Sequence, residues 1–111
     1  MKRGDIYFAT LDPTQGSEIR KTRPVVIVSN DAANRASALV TVVPLTSTLV
    51  KVQPFEVKLT AAETGLSKDG KALAQQVRTI DKNRLGSLRR GIVPAVKLRA
   101  LDDALRLHLA L

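Results

Sequence analysis

Hydrophobic positions along this chain follow the short periods of strands for its first two-thirds and a helical period at its end. Residues 5–11 read as a first strand, closed by the turn-forming run Asp12-Pro13-Thr14-Gln15-Gly16. Residues 24–29 are apolar and β-branched without alternation, the mark of a strand buried on both faces. Residues 39–45 predict a third strand, and Pro44 near its end predicts an edge or a bulge, because proline donates nothing to a ladder. Residues 55–59 alternate, which predicts one wet face, and residues 72–80 predict a further strand.

Helical signals are shorter. Thr60 and Glu63 have the spacing of a capping box, in which hydroxyl and carboxylate each cover a free amide. Asp81 is placed to cap a turn over residues 82–85, and Pro94 suits the first position of a helix. Leu98, Leu101, Leu105 and Leu109 then follow as one apolar stripe. The expectation is a mainly β chain with helices (α+β): about five strands curled into a small barrel or half-barrel to hide their edges, with a C-terminal helix over one open end. At 111 residues, one domain over 1–111 is expected.

Composition narrows the partner. The formal charge of +8 on so short a chain favours a polyanion. No apolar run reaches the roughly 20 residues of a membrane span. No apolar stretch follows the basic N-terminal residues, so the expectation is a cytoplasmic protein without a signal.

The chemistry is bounded as much by what is missing. There is no cysteine, hence no thiol nucleophile and no thiolate metal site. The single histidine, His108, rules out a two-histidine ribonuclease within one chain; its place suggests a boundary residue near a helix C-terminus. The acidic residues are scattered, and Asp102 and Asp103 diverge on a helix, so neither a metal nor another cofactor is expected. A phosphate-cradling GxxxxGK[ST] loop is absent. What remains is Arg, Thr, Ser, Gln and isolated carboxylates, a set suited to RNA. There the 2′-hydroxyl attacks its own adjacent phosphate, and the protein need only align the attack and stabilise the charged phosphorane.

Four blocks carry a more specific signal: Arg3 to Phe8 with Asp12 to Glu18, Arg23 to Asn30, Val43 to Ser47, and Gln76 to Lys82. In this order and at these separations they resemble the MazF/PemK-type toxins of type II toxin–antitoxin systems, over nearly the whole chain. The resemblance implies an SH3-like small barrel of about five to seven strands with a C-terminal helix. It also implies a homodimer that cuts single-stranded RNA at specific sequences without a metal, leaving a 2′,3′-cyclic phosphate and a 5′-hydroxyl. A cognate antitoxin with an acidic C-terminal segment would occupy the same groove.

Carried over by position, Arg23 matches the family's catalytic arginine and Thr46 its catalytic threonine. Glu18 is the best carboxylate for a general base. Ser17, Ser47, Gln76, Arg20, Lys21 and Thr14 are the RNA-binding candidates. A guanidinium keeps its proton at neutral pH, so Arg23 is assigned to charge stabilisation rather than acid catalysis. Many relatives have Glu-Gln-Gly where this chain has Glu18-Ile19-Arg20-Lys21, and an acidic residue where it has Gln75; some have histidine at Ser17. Arg78 to Asp81 are assigned to the scaffold, and Arg84, Arg89 and Arg90 form a basic patch that reads equally as a phosphate-tracking surface or a solvated face.

Two other functions compete. A gyrase inhibitor of the CcdB type uses a C-terminal aromatic, whereas this chain ends His108-Leu109-Ala110-Leu111. A plain single-strand binder would stack bases on several rings, and Tyr7, Phe8 and Phe55 are the only aromatics.

Overall fold

The β-branched run after Arg23 forms the centre of a curled antiparallel sheet in the computed structural model, which describes residues 1–11, 16 and 22–111. Among these residues there are seven strands: β1 (Asp5–Thr10), β2 (Thr22–Ile27), β3 (Leu39–Thr46), β4 (Glu56–Leu59), β5 (Gly70–Leu73), β6 (Arg78–Asp81) and β7 (Gly91–Ile92). Three helices accompany them: α1 (Asp31–Ala36), α2 (Ala61–Thr64) and α3 (Ala95–Leu109). The strand order is β4-β5-β3-β2-β1-β7, with β6 pairing the first half of β3.

Strand β2 is buried on both faces, as its lack of alternation predicts. Val26 joins Val43, Leu45, Ile6 and Leu59 in a core closed by Leu101 and Ala104 of α3, while Val25 and Ile27 join Val40, Val42 and Ile80 on the other face. Fully burying such a side chain contributes about 1.5–3 kcal/mol before entropy is counted. The leucine stripe of α3 provides the lid: Leu101 is buried and Leu98 and Leu105 pack against the core, but Leu109 lies half-exposed past its edge.

Several local expectations need correction. Pro44 lies at no edge: it is fully buried and pairs with Val25 of β2. The other side of β3 pairs with β6 up to Val42 and with β5 from Leu45 onward, so Pro44 falls where the partner changes. On that side no ladder pair falls between Val42 and Leu45 for its missing amide to break. Residues 72–80 are not one strand; β5 ends at Leu73, the 3₁₀ turn Ala74–Gln76 intervenes, and β6 begins at Arg78. Pro94 is the residue capping α3, not its first. The capping box at Thr60 is half-formed: its hydroxyl accepts from Glu63 N–H at 3.3 Å, but the Glu63 carboxylate faces Lys97 at 3.6 Å. Asp102 is not simply solvated, since it pairs with Arg3. Asp81 does cap its turn, accepting from Asn83 N–H at 2.7 Å.

The wet face expected of β4 is only half present, because Glu56 is buried beside Val57. Burial alone would push this carboxyl up. The Gln53 amide at 2.9 Å, Lys71 Nζ at 2.9 Å and Gln75 Nε2 at 2.6 Å outweigh it and hold the pKa below its ordinary 4.5. The charged form's contribution is therefore complete above that value and is lost as the pH falls through the lower, folded-state value. Wild-type stability should fall as the pH drops below about 4.5, and less steeply in Glu56→Gln. Denaturant midpoints across that range check this, and equal slopes would show that Glu56 contributes nothing to acid sensitivity.

Candidate functional site

The ends of β2 and β3 come together under a loop and leave an open groove of about 490 Å³. Arg23 and Pro24 form one side, Thr46 and Ser47 the next, and residues 65–70, between α2 and β5, the far wall. Phe8 of β1 and Arg90, just before β7, close the near end, while buried Leu45 and Leu59 make an apolar floor.

Backbone pairing sets the two central side chains. Arg23 precedes Pro24, which holds it extended, and it pairs with Ala9 of β1. The β2–β3 ladder runs Ile27↔Val42, Val26↔Val43 and Val25↔Pro44 and ends there; Arg23, two residues before Val25, and Thr46, two after Pro44, lie just beyond it and both line the groove. Thr46 ends β3 and is pinned on its other side by Lys71 of β5. Its hydroxyl oxygen accepts from Thr48 N–H at 3.2 Å, which leaves the hydroxyl proton available to a ligand. The approach of β5 is close: a Cβ on Gly70 would lie 2.6 Å from the Thr46 carbonyl oxygen.

The charges of the groove are mixed but mainly positive. Arg23, Lys68 and Arg90 line it, against Asp69 among its described residues. One oxygen of Asp69 accepts from Ala61 N–H at 2.7 Å, which ties the loop to the start of α2. Among the described residues, no three His, Asp or Glu side chains are grouped so as to hold a metal ion.

Of the residues singled out from the sequence, Arg23, Thr46 and Ser47 meet in this groove. Gln76, half-buried at the end of the 3₁₀ turn, does not line it. Thr14, Ser17, Glu18, Arg20 and Lys21 lie outside the described residues. His108 is exposed on α3 with its ring 6.4 Å from that of Phe55, away from the groove.

Sequence reasoning missed the far wall, Ser67, Lys68 and Asp69, and the role of Phe8. The turn-forming run Ser67-Lys68-Asp69-Gly70 before a strand was the available signal. The basic patch divides on inspection. Arg84 donates to the Thr10 carbonyl at 3.2 Å and Arg89 faces Asp5 at 3.6 Å, whereas Arg90 enters the groove.

Comparison with known proteins shows the family and the fold. The family described as PemK-like, MazF-like toxin of type II toxin–antitoxin system matches residues 2–109. The chain is 50% identical to the endoribonuclease MazF9 of Mycobacterium tuberculosis over a 117-residue alignment covering 100% of this chain and 98% of that protein. It is 38% identical to the endoribonuclease EndoA of Bacillus subtilis, over 100% of this chain and 96% of the relative. Among solved structures, MazF from Deinococcus radiodurans superposes with a TM-score of 0.86 at 26% identity, covering 100% and 97% of the two chains. An endoribonuclease in complex with its cognate antitoxin, from a mycobacterial species, gives 0.82 at 30% identity, covering 100% of this chain and 96% of the other.

Proposed function

Because this chain belongs to the PemK-like, MazF-like family of type II toxins, we propose that it is an endoribonuclease cutting single-stranded messenger RNA at specific sequences without a metal. The observation that supports the site assignment is that Arg23 of β2 and Thr46 of β3 line one mainly cationic groove.

In this reading the RNA supplies its own nucleophile. The 2′-oxygen forms a bond to the adjacent phosphorus as the bond to the 5′-oxygen breaks. The 2′-hydroxyl loses a proton and the 5′-oxygen gains one, giving a 2′,3′-cyclic phosphate and a 5′-hydroxyl. Arg23 presents two parallel N–H donors to the non-bridging oxygens, where negative charge accumulates. Thr46 donates a hydrogen bond from its hydroxyl to one of the same oxygens, and Glu18 is the proposed base. Ser47 supports the RNA from within the groove; Thr14, Ser17, Arg20, Lys21 and Gln76 are proposed to extend the RNA-binding surface.

The whole chain, 1–111, is taken as one such domain that acts as a homodimer in the cytoplasm. No helix among the described residues is long and apolar enough to cross a membrane. The antitoxin complex solved for the mycobacterial relative supports a cognate antitoxin here. Its acidic C-terminal segment would bind the cationic groove, and the net charge of +8 suits both that segment and RNA.

The test is incubation of the purified protein with a long transcript in excess EDTA, followed by mapping of the new 5′ ends. Discrete cuts that disappear in Arg23→Ala are expected. Gyrase inhibition or bare RNA binding, with no cleavage under any condition, would replace the nuclease reading.

A further inference from the structure

Arg90 is held differently from every other arginine of its region. Its guanidinium carbon lies 5.0 Å from the centre of the Phe8 ring. Phe8 pairs with Pro24, the neighbour of Arg23, so this cation–π contact stands in the groove next to the proposed catalytic arginine. The Arg90 backbone is fixed too, its N–H donating to the Ile6 carbonyl at 2.7 Å.

A guanidinium held over a ring leaves its planar fork of N–H donors to be turned toward a phosphate. Arg78 and Arg84 spend donors on the Leu11 and Thr10 carbonyls, and Arg89 faces Asp5. Among the described residues no carboxylate pairs with Arg90, although it is exposed within the groove.

We propose that Arg90, braced on Phe8, binds a backbone phosphate of the RNA beside the scissile one and so positions the strand across Arg23 and Thr46. This inference rests on the endoribonuclease reading. Arg90 acts on binding: a contact made equally in the ground and transition states raises affinity without accelerating the bond change. A phosphate contact carries no sequence information, so it does not choose the cut site.

The experiment compares wild type with Arg90→Gln, Arg90→Lys and Phe8→Leu, using Arg106→Gln as a control for lost surface charge; Arg106 is exposed on α3 and paired with Asp103 at 3.0 Å. The substrate is an RNA oligonucleotide spanning a mapped cut. The binding probe is the same oligonucleotide with a 2′-deoxy sugar on the 5′ side of that cut. Arg90→Gln should raise KM about tenfold with kcat nearly unchanged, as expected for loss of one charge-assisted contact. The slope of log affinity against log salt should fall by about 0.7, one phosphate's share for a single strand. Cut positions should stay the same, with Arg90→Lys and Phe8→Leu intermediate in KM.

An unchanged KM and salt slope in Arg90→Gln would overturn the proposal. So would a fall in kcat alone, a shifted set of cuts, or an equal effect in Arg106→Gln. Each of these outcomes leaves the nuclease reading intact, because wild type still cuts. Failure of wild type to cut any RNA would overturn both.

Discussion

Replacing Arg23 with lysine should lower kcat for RNA cleavage by about 10²–10³, the usual effect of losing one preorganised donor to a charged transition state. The charge survives this change, so an effect of charge alone would leave the rate almost intact. What is lost is the planar fork that meets two phosphoryl oxygens at once. The position makes that geometry matter. Arg23 is half-buried, pairs with Ala9 of β1, and stands two residues from the ladder that joins β2 to β3 in the buried core. A lysine ammonium on a flexible stem reaches one oxygen, not two. Single-turnover cleavage of an RNA carrying a mapped cut measures the effect directly. A lysine variant that cleaves at the wild-type rate would show that positive charge, not the fork, is what Arg23 contributes.

Gly70→Ala should damage the site from behind. The added methyl would lie 2.6 Å from the Thr46 carbonyl oxygen, closer than real contacts allow, and the obstacle is backbone rather than a movable side chain. Either β5 or the end of β3 must shift, and Thr46 moves with the latter. Overpacking of this kind costs about 1–3 kcal/mol of stability. Displacement of a reacting group by 1 Å can cost about 10²-fold in rate. The variant should therefore fold with a lowered unfolding midpoint and cleave far more slowly than that loss explains. Thermal melts read beside cleavage rates below the melting range separate the two. Full activity in Gly70→Ala would mean that the close packing at Thr46 does not set the groove.

Much of this was legible in the chain. The unbroken apolar run after Arg23 announced a strand buried on both faces, and β2 is one. The leucine stripe announced the covering helix. Strand ends were harder where tertiary pairing overrides local pattern. Pro44 is tolerated centrally because β3 exchanges partners there, which no local rule encodes. Glu56 alternates like a solvent-facing residue, yet Lys71 and Gln75 draw it inside from positions distant in sequence. Helix α1 was unread, although Asn30 caps it by accepting from Ala33 N–H at 2.8 Å and offered a signal. The site shows the same division. Arg23, Thr46 and Ser47 were identified through the family resemblance, and the folding of β2 beside β3 brings them to one groove. Lys68, Asp69 and Phe8 carry no chemistry-specific spacing and enter the groove only because the fold places their loop and strand beside it.

The central claim is that the RNA attacks itself, with Arg23 and Thr46 stabilising the charge that develops. It is tested most directly by changing one atom of the substrate. An RNA oligonucleotide with a 2′-deoxy sugar immediately 5′ to the mapped cut should bind as the all-ribose strand does and remain uncut in EDTA, while the all-ribose strand is cleaved to a 2′,3′-cyclic phosphate and a 5′-hydroxyl. Cleavage of the deoxy-substituted strand at that same position would contradict 2′-hydroxyl attack and require a nucleophile from water or from the protein.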